Sequence, residues 1–113
     1  MKKIIALLLA AVMVMCLFAG CASSGGSKVI KIGVFEPQSG DNGAGGKQEV
    51  LGIQYANSVK PTVTIGGEEY KIELDIQDNQ SSTDKAVSAA QQLVADKVSV
   101  VLGSYGSGVS IAA

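Results

Sequence analysis

Three short runs of β-branched and apolar residues, separated by two stretches of helix length, set the tightest limit on how this chain folds. The first, Val29-Ile30-Lys31-Ile32-Gly33-Val34-Phe35, closes at Pro37-Gln38-Ser39-Gly40 and reads as a largely buried strand. Asp41–Gly46 is a loop by composition, and from about Lys47 to Val59 the spacing predicts a helix with Val50, Leu51, Ile53, Tyr55 and Ala56 on its apolar side. Gly52 inside that helix costs roughly 1 kcal/mol against alanine, so a close helix-to-sheet contact is expected there. Pro61 stops the helix. Thr62–Ile65, Gly66-Gly67 and Glu68–Tyr70 then form a hairpin signal. Tyr70, Ile72, Leu74 and Ile76 alternate with Lys71, Glu73 and Asp75, the period of a strand with one wetter face, as at a sheet edge. Asp78–Ser82 is a turn in which Ser81 and Asp84 have the spacing of a capping box. The helix from about Thr83 to Ala95 stacks Ala86, Ala89, Ala90 and Leu93 on one face. A last apolar strand, Val98–Leu102, ends at Gly103, and Ser104–Ser110 opens another helix. Strands alternating with helices pair in parallel through right-handed crossovers, so the fold class is α/β, a doubly wound parallel sheet. A third strand placed beside the first leaves an outer edge unpaired, which marks the chain as the start of a longer protein.

The front of the chain carries an address. Lys2 and Lys3 precede an uncharged apolar run from Ile4 to Gly20, the pattern of a secretory signal peptide. At about 17 residues the run is at the short end for an uncleaved anchor. Leu17-Phe18-Ala19-Gly20-Cys21 resembles the bacterial lipoprotein processing motif, with small residues before a thiol that accepts a lipid. Ala22-Ser23-Ser24-Gly25-Gly26-Ser27 is a flexible Gly/Ser tether. The expected organisation is therefore a signal peptide over residues 1–20, a lipidated Cys21 and tether over 21–28, and a globular part over 29–113. An extracytoplasmic protein, lipid-anchored through Cys21, follows from it.

Composition removes whole classes of chemistry. The 113 residues include no histidine and carry Lys+Arg 9 against Asp+Glu 10, so no basic field is available for nucleic acid and no His-based triad, dyad or metal site exists in this stretch. Two cysteines make no disulfide framework. Around Gly46-Lys47, Asp41 stands where a P-loop needs its first glycine and Gln48 where it needs a hydroxyl; Gln48 also breaks GxGxxG. Gly108-Val109-Ser110-Ile111-Ala112 resembles a GxSxG nucleophile elbow that lacks its last glycine, so a secreted serine hydrolase using Ser110 is a minor alternative. Asp75, Asp78, Asp84 and Asp96 lack metal-loop spacing. No cofactor is expected. In an open parallel sheet, ligands bind outside the carboxyl ends of the strands, which selects the loops Ser39–Gly46, Asp78–Ser82 and Gly103–Ser110. The last offers backbone N–H groups at a helix start, suited to a carboxylate, with Ser107 able to add a side-chain hydrogen bond. Its serines have a plainer reading as helix caps.

Lys31-Ile32-Gly33-Val34 leading to Gln38-Ser39-Gly40, then Gly46-Lys47-Gln48 and Gly52, is similar to the opening of the branched-chain amino-acid binding proteins of ABC transporters. So are Asp78-Asn79-Gln80-Ser81 before Lys85-Ala86-Val87, and Val100-Val101-Leu102-Gly103 before Ser107-Gly108. The resemblance spans nearly the whole chain and implies the periplasmic binding protein type 1 fold, with only the start of the first of two lobes present. It also implies a non-enzymatic receptor that closes over a small amino-acid-like solute and delivers it to an ABC permease in the membrane. A ligand-sensing lobe of a receptor is the alternative within the same fold. The ligand-binding residues it implies are Ser107 with Tyr105, Gly106, Gly108 and Ser39, while the acidic group for the ligand's ammonium would come from beyond Ala113. Two departures stand out: Gly45 sits where an aromatic often covers the ligand, and Ser81 and Gly106 sit where some members have a disulfide.

Overall fold

The structure is a computed structural model that describes residues 28–113. The signal peptide, Cys21 and residues 22–27 of the tether lie outside the described residues. The elements run β1 (Val29–Glu36), α1 (Gly43–Val59), β2 (Thr62–Ile65), β3 (Glu68–Asp78), α2 (Thr83–Ala95), β4 (Val100–Leu102) and α3 (Ser107–Ala112). They build one sheet of order β2-β3-β1-β4. β1 pairs in parallel with both β3 and β4, with Glu36 opposite Asp78 and Val34 opposite Leu102. β2 and β3 form the expected antiparallel hairpin, Ile65 opposite Glu68.

Side-chain alternation sends successive residues of β1 to opposite faces. On one face Phe35 joins Ala86, Ala89, Leu93 and Val109 in the buried core. Gly33 is part of that packing: a Cβ there would lie 3.1 Å from Leu93 Cδ2 and from Val98 Cγ2, so the missing side chain makes room for Leu93. The predicted face of α2 is the one the structure buries. On the other face, α1 covers Ile32, Ile72, Leu74 and Leu102 incompletely and leaves an open groove of about 310 Å³.

β2 pairs with only Glu68–Lys71 of β3, so from Ile72 to Asp78 the outer side of β3 is a sheet edge among the described residues, as its alternation implies. Four expectations are corrected. Only the carboxyl-terminal half of β1 is buried. α1 starts at Gly43 rather than near Lys47, because Gly43 N–H donates to Gly40 O and Gly46 N–H to Asn42 O, and tertiary contact favours the small residues there. Of its predicted apolar side only Val50 is buried, Leu51 and Tyr55 are exposed, and Gly52 meets nothing within 4 Å. Finally, the cap of α2 is Ser82, whose hydroxyl accepts Lys85 N–H at 3.4 Å, and Ser81 is used elsewhere.

Candidate functional site

Parallel pairing brings the ends of β1, β3 and β4 to the same edge of the sheet, and the three segments that leave them are stitched together. Asp78, the last residue of β3, accepts Gln38 N–H at 2.8 Å and Ser39 O–H at 2.7 Å across to the β1–α1 loop, and Gln80 N–H at 2.8 Å within its own turn. Although partial burial works against the charge, these donors hold its carboxyl below the ordinary aspartate value. Ser81 Oγ accepts Asn42 N–H at 3.0 Å and donates to Ser39 O at 3.0 Å. Gln80 and Ser81 both take positive φ, a strained pair for side-chain-bearing residues. The bond from Ser81 N–H to Asn79 Oδ1 at 3.1 Å supports that turn.

Asn79 is the residue that sequence reasoning undervalued. It is fully buried, and its amide nitrogen donates to Phe35 O at 3.5 Å and to Ser104 Oγ at 2.9 Å. One side chain thus joins all three strand ends. The sequence places Asn79 in a turn and in a motif carrying the resemblance, but neither says which strand ends its side chain reaches.

The β4–α3 loop holds Tyr105 and Gly106 of the expected ligand residues, and the first turn of α3 holds Ser107 and Gly108. Gly103, at φ +113, is fixed by its neighbours: a Cβ there would fall 2.2 Å from Phe35 O and 2.3 Å from Glu36 Oε1. Tyr105 N–H is already used, donating to Glu36 Oε2 at 2.7 Å. Its ring, half-exposed, lies over Gly45, whose Cβ would meet the ring carbons at 3.1 to 3.3 Å. The space an aromatic at position 45 would need is therefore filled from the β4–α3 side. Ser107 and Gly108 are exposed at the start of α3, where the first-turn N–H groups lack helical acceptors. Val109 and Ser110 N–H both turn back to Gly106 O at 3.2 Å. The cap is Gly106, and no side chain caps the helix, so Ser107 is not the capping serine of the plainer reading. Ser39 is exposed with its hydroxyl bound to Asp78. Its carbonyl is likewise taken by Ser81.

Ser110 fits no nucleophile elbow. It is the fourth residue of α3 rather than the turn residue between strand and helix, and its hydroxyl lies 3.4 Å from Gly106 O and 3.4 Å from Ser104 N, tying the loop to the helix. Among the described residues no group of three His, Cys, Asp or Glu side chains has the placement to hold a metal. None of the described helices is long and apolar enough to cross a membrane.

A mixed α/β sheet, parallel apart from the β2–β3 hairpin, whose crossover helices pack on opposite faces and whose three strand-end loops are tied into one edge, defines a doubly wound lobe of the periplasmic binding protein type 1 kind. The family model described as periplasmic binding protein matches residues 29–113, and the chain belongs to that family of solute-binding proteins. Among solved structures, a leucine binding protein LivK from Thermotoga maritima is 35% identical with TM-score 0.65, over 74% of this chain and 23% of its own. The branched-chain amino acid transporter substrate binding protein LivJ from Streptococcus pneumoniae, in complex with isoleucine, is 36% identical with TM-score 0.64, over 75% of this chain and 24% of its own. A solute binding protein of an ABC transporter from R. palustris, in complex with benzoate, is 27% identical with TM-score 0.60, over 74% and 23%. The chain thus spans about a quarter of the length of the structures it matches. A comparison with curated proteins gave no match.

Proposed function

We propose that this chain is the first part of the first lobe of an extracytoplasmic, non-enzymatic receptor for an ABC importer, which binds an amino acid or similar small carboxylate and hands it to the permease. The observation that carries the reading is the family match over residues 29–113, together with what its relatives hold. The charged group that leucine, isoleucine and benzoate all have in common is the carboxylate. A carboxylate is the group that exposed amide donors and a hydroxyl recognise. In this reading Ser107 Oγ and the N–H groups of Gly106, Ser107 and Gly108 hold the carboxylate, the ring of Tyr105 forms a wall, and Ser39 shapes the facing loop. A second lobe closes over the solute, and binding energy biases the closed state. The signal peptide over 1–20, the lipid on Cys21 and the tether hold the receptor on the membrane, consistent with the extracytoplasmic setting of the family.

The test uses the full-length gene product in calorimetry and thermal shift against free amino acids and benzoates. Micromolar binding, weakened roughly tenfold by Ser107→Ala through loss of one hydrogen bond to a charged group, is the expected result. Absence of a shift with every carboxylate in the panel refutes the ligand class. Cys21→Ser is expected to release the protein from the membrane fraction.

A further inference from the structure

Beneath the β4–α3 loop lies an acid that the proposed ligand contacts do not use. Glu36 ends β1 with only 2% of its surface exposed. Its Oε2 accepts Tyr105 N–H at 2.7 Å, and its Oε1 occupies the space that a side chain on Gly103 would need. Glu49, on α1, brings a second carboxyl within hydrogen-bonding reach. From β3, the Asn79 N–H reaches Glu36 O at 3.4 Å, and the neighbouring Asp78 spends its oxygens on Gln38, Ser39 and Gln80. Among the described residues no cation is paired with Glu36.

We propose that Glu36 is a positioning residue of the ligand site: its carboxyl grips the Tyr105 amide from below, decides which loop N–H groups remain for a ligand, and takes up a proton when an anionic solute is bound. The proposal rests on the functional reading above for its last clause only. The geometry makes the argument. A buried carboxyl beside another carboxyl, with no cation, does not ionise cheaply. Its one strong donor is the amide of the residue directly before Gly106 and Ser107, so its charge is felt where a solute carboxylate would sit. An anionic solute and an ionised Glu36 repel each other, and protonating Glu36 removes that repulsion while leaving an oxygen to accept Tyr105 N–H. Burial, strengthened by Glu49 and only partly offset by the Tyr105 amide, pushes Glu36 up to about 7, so the proton is exchanged near neutral pH. Glu36→Gln is the neutral mimic: one atom accepts from Tyr105 and the other donates to Glu49.

Two measurements separate this proposal from the functional reading. In the unliganded protein, the Tyr105 amide resonance followed between about pH 5 and about pH 9 is expected to titrate near 7 and to stand still in Glu36→Gln. A Tyr105 amide that is flat in the wild type, or that titrates equally in Glu36→Gln, overturns the proposal whether or not any ligand is found. In the full-length protein, calorimetry with isoleucine and with benzoate is expected to show affinity falling roughly tenfold as pH rises through neutrality, and a flat profile in Glu36→Gln at the low-pH affinity. Binding that keeps its wild-type pH dependence in Glu36→Gln removes the coupling to ligand. If no carboxylate of the panel binds while the Tyr105 amide still titrates, the functional reading fails and the Glu36 contact with the loop stands.

Discussion

Helix α1 holds two glycines six residues apart for which the same substitution has opposite consequences. A Cβ on Gly46 would lie 2.0 Å from Pro37 O, 2.7 Å from Pro37 Cγ and 2.8 Å from Pro37 Cδ. Ordinary contacts between such atoms begin above about 3.4 Å, and Pro37 is fully buried backbone and ring with nowhere to move. Gly46→Ala therefore lifts the start of α1 off β1. Overpacking of that kind costs about 1–3 kcal/mol, against which alanine's better helix propensity returns at most about 1 kcal/mol. Gly52 has nothing within 4 Å of its Cβ position, so Gly52→Ala collects the propensity gain, about 0.5–1 kcal/mol, with no opposing clash. In a body of this size each kcal/mol moves Tm by about 4–8 °C. Urea unfolding followed by helical circular dichroism is expected to rank Gly52→Ala above the wild type and Gly46→Ala below it. Gly46→Ala as stable as the wild type would mean that α1 does not sit on Pro37, and the docking that places Gly45 under Tyr105 would be wrong with it.

Leu93→Ala empties a site that is 1% exposed between Gly33, Phe35 and Val98, with an expected loss of about 3–5 kcal/mol in urea unfolding. Asn79→Ala leaves Ser104 and the end of β1 without their shared donor; a loss of about 1–3 kcal/mol and faster amide exchange through Ser104–Gly106 are expected, whereas unchanged exchange would separate Asn79 from the loop. The raised Glu36 gives stability that is complete below its unfolded value of 4.5 and is lost as pH climbs through about 7, a loss of up to about 3 kcal/mol that Glu36→Gln abolishes. Asp78 has the opposite sign: its lowered value gives stability above the ordinary 3.8 that disappears as pH falls below it, and Asp78→Asn is expected to flatten that acid limb.

Much of the architecture follows from local patterns. The β-branched run at β1, the Gly66-Gly67 hairpin, the alanine face of α2 and the order of elements are periodicities that survive any packing, because each is set by residues a few positions apart. The convergence of the three strand-end loops followed too, since parallel strands joined by helices must end at one edge. The same reasoning failed where a contact crosses the sequence. Gly43–Gly46 has the composition of a loop, and becomes helix because Pro37 and the Tyr105 ring press on positions that only small residues can take.

The site divides in the same way. Sequence by itself determined which loops meet and that these 113 residues hold no histidine. Tertiary structure alone decided that Tyr105 N–H is taken by Glu36, that Ser39 belongs to Asp78, that Ser110 faces its own loop, and that Asn79 joins three strand ends. Glu36 and Tyr105 are separated by 69 positions and Asn79 and Phe35 by 44. A local pattern specifies which way a side chain points along its own element, whereas the partner it meets is set by how the sheet stacks distant segments against one another.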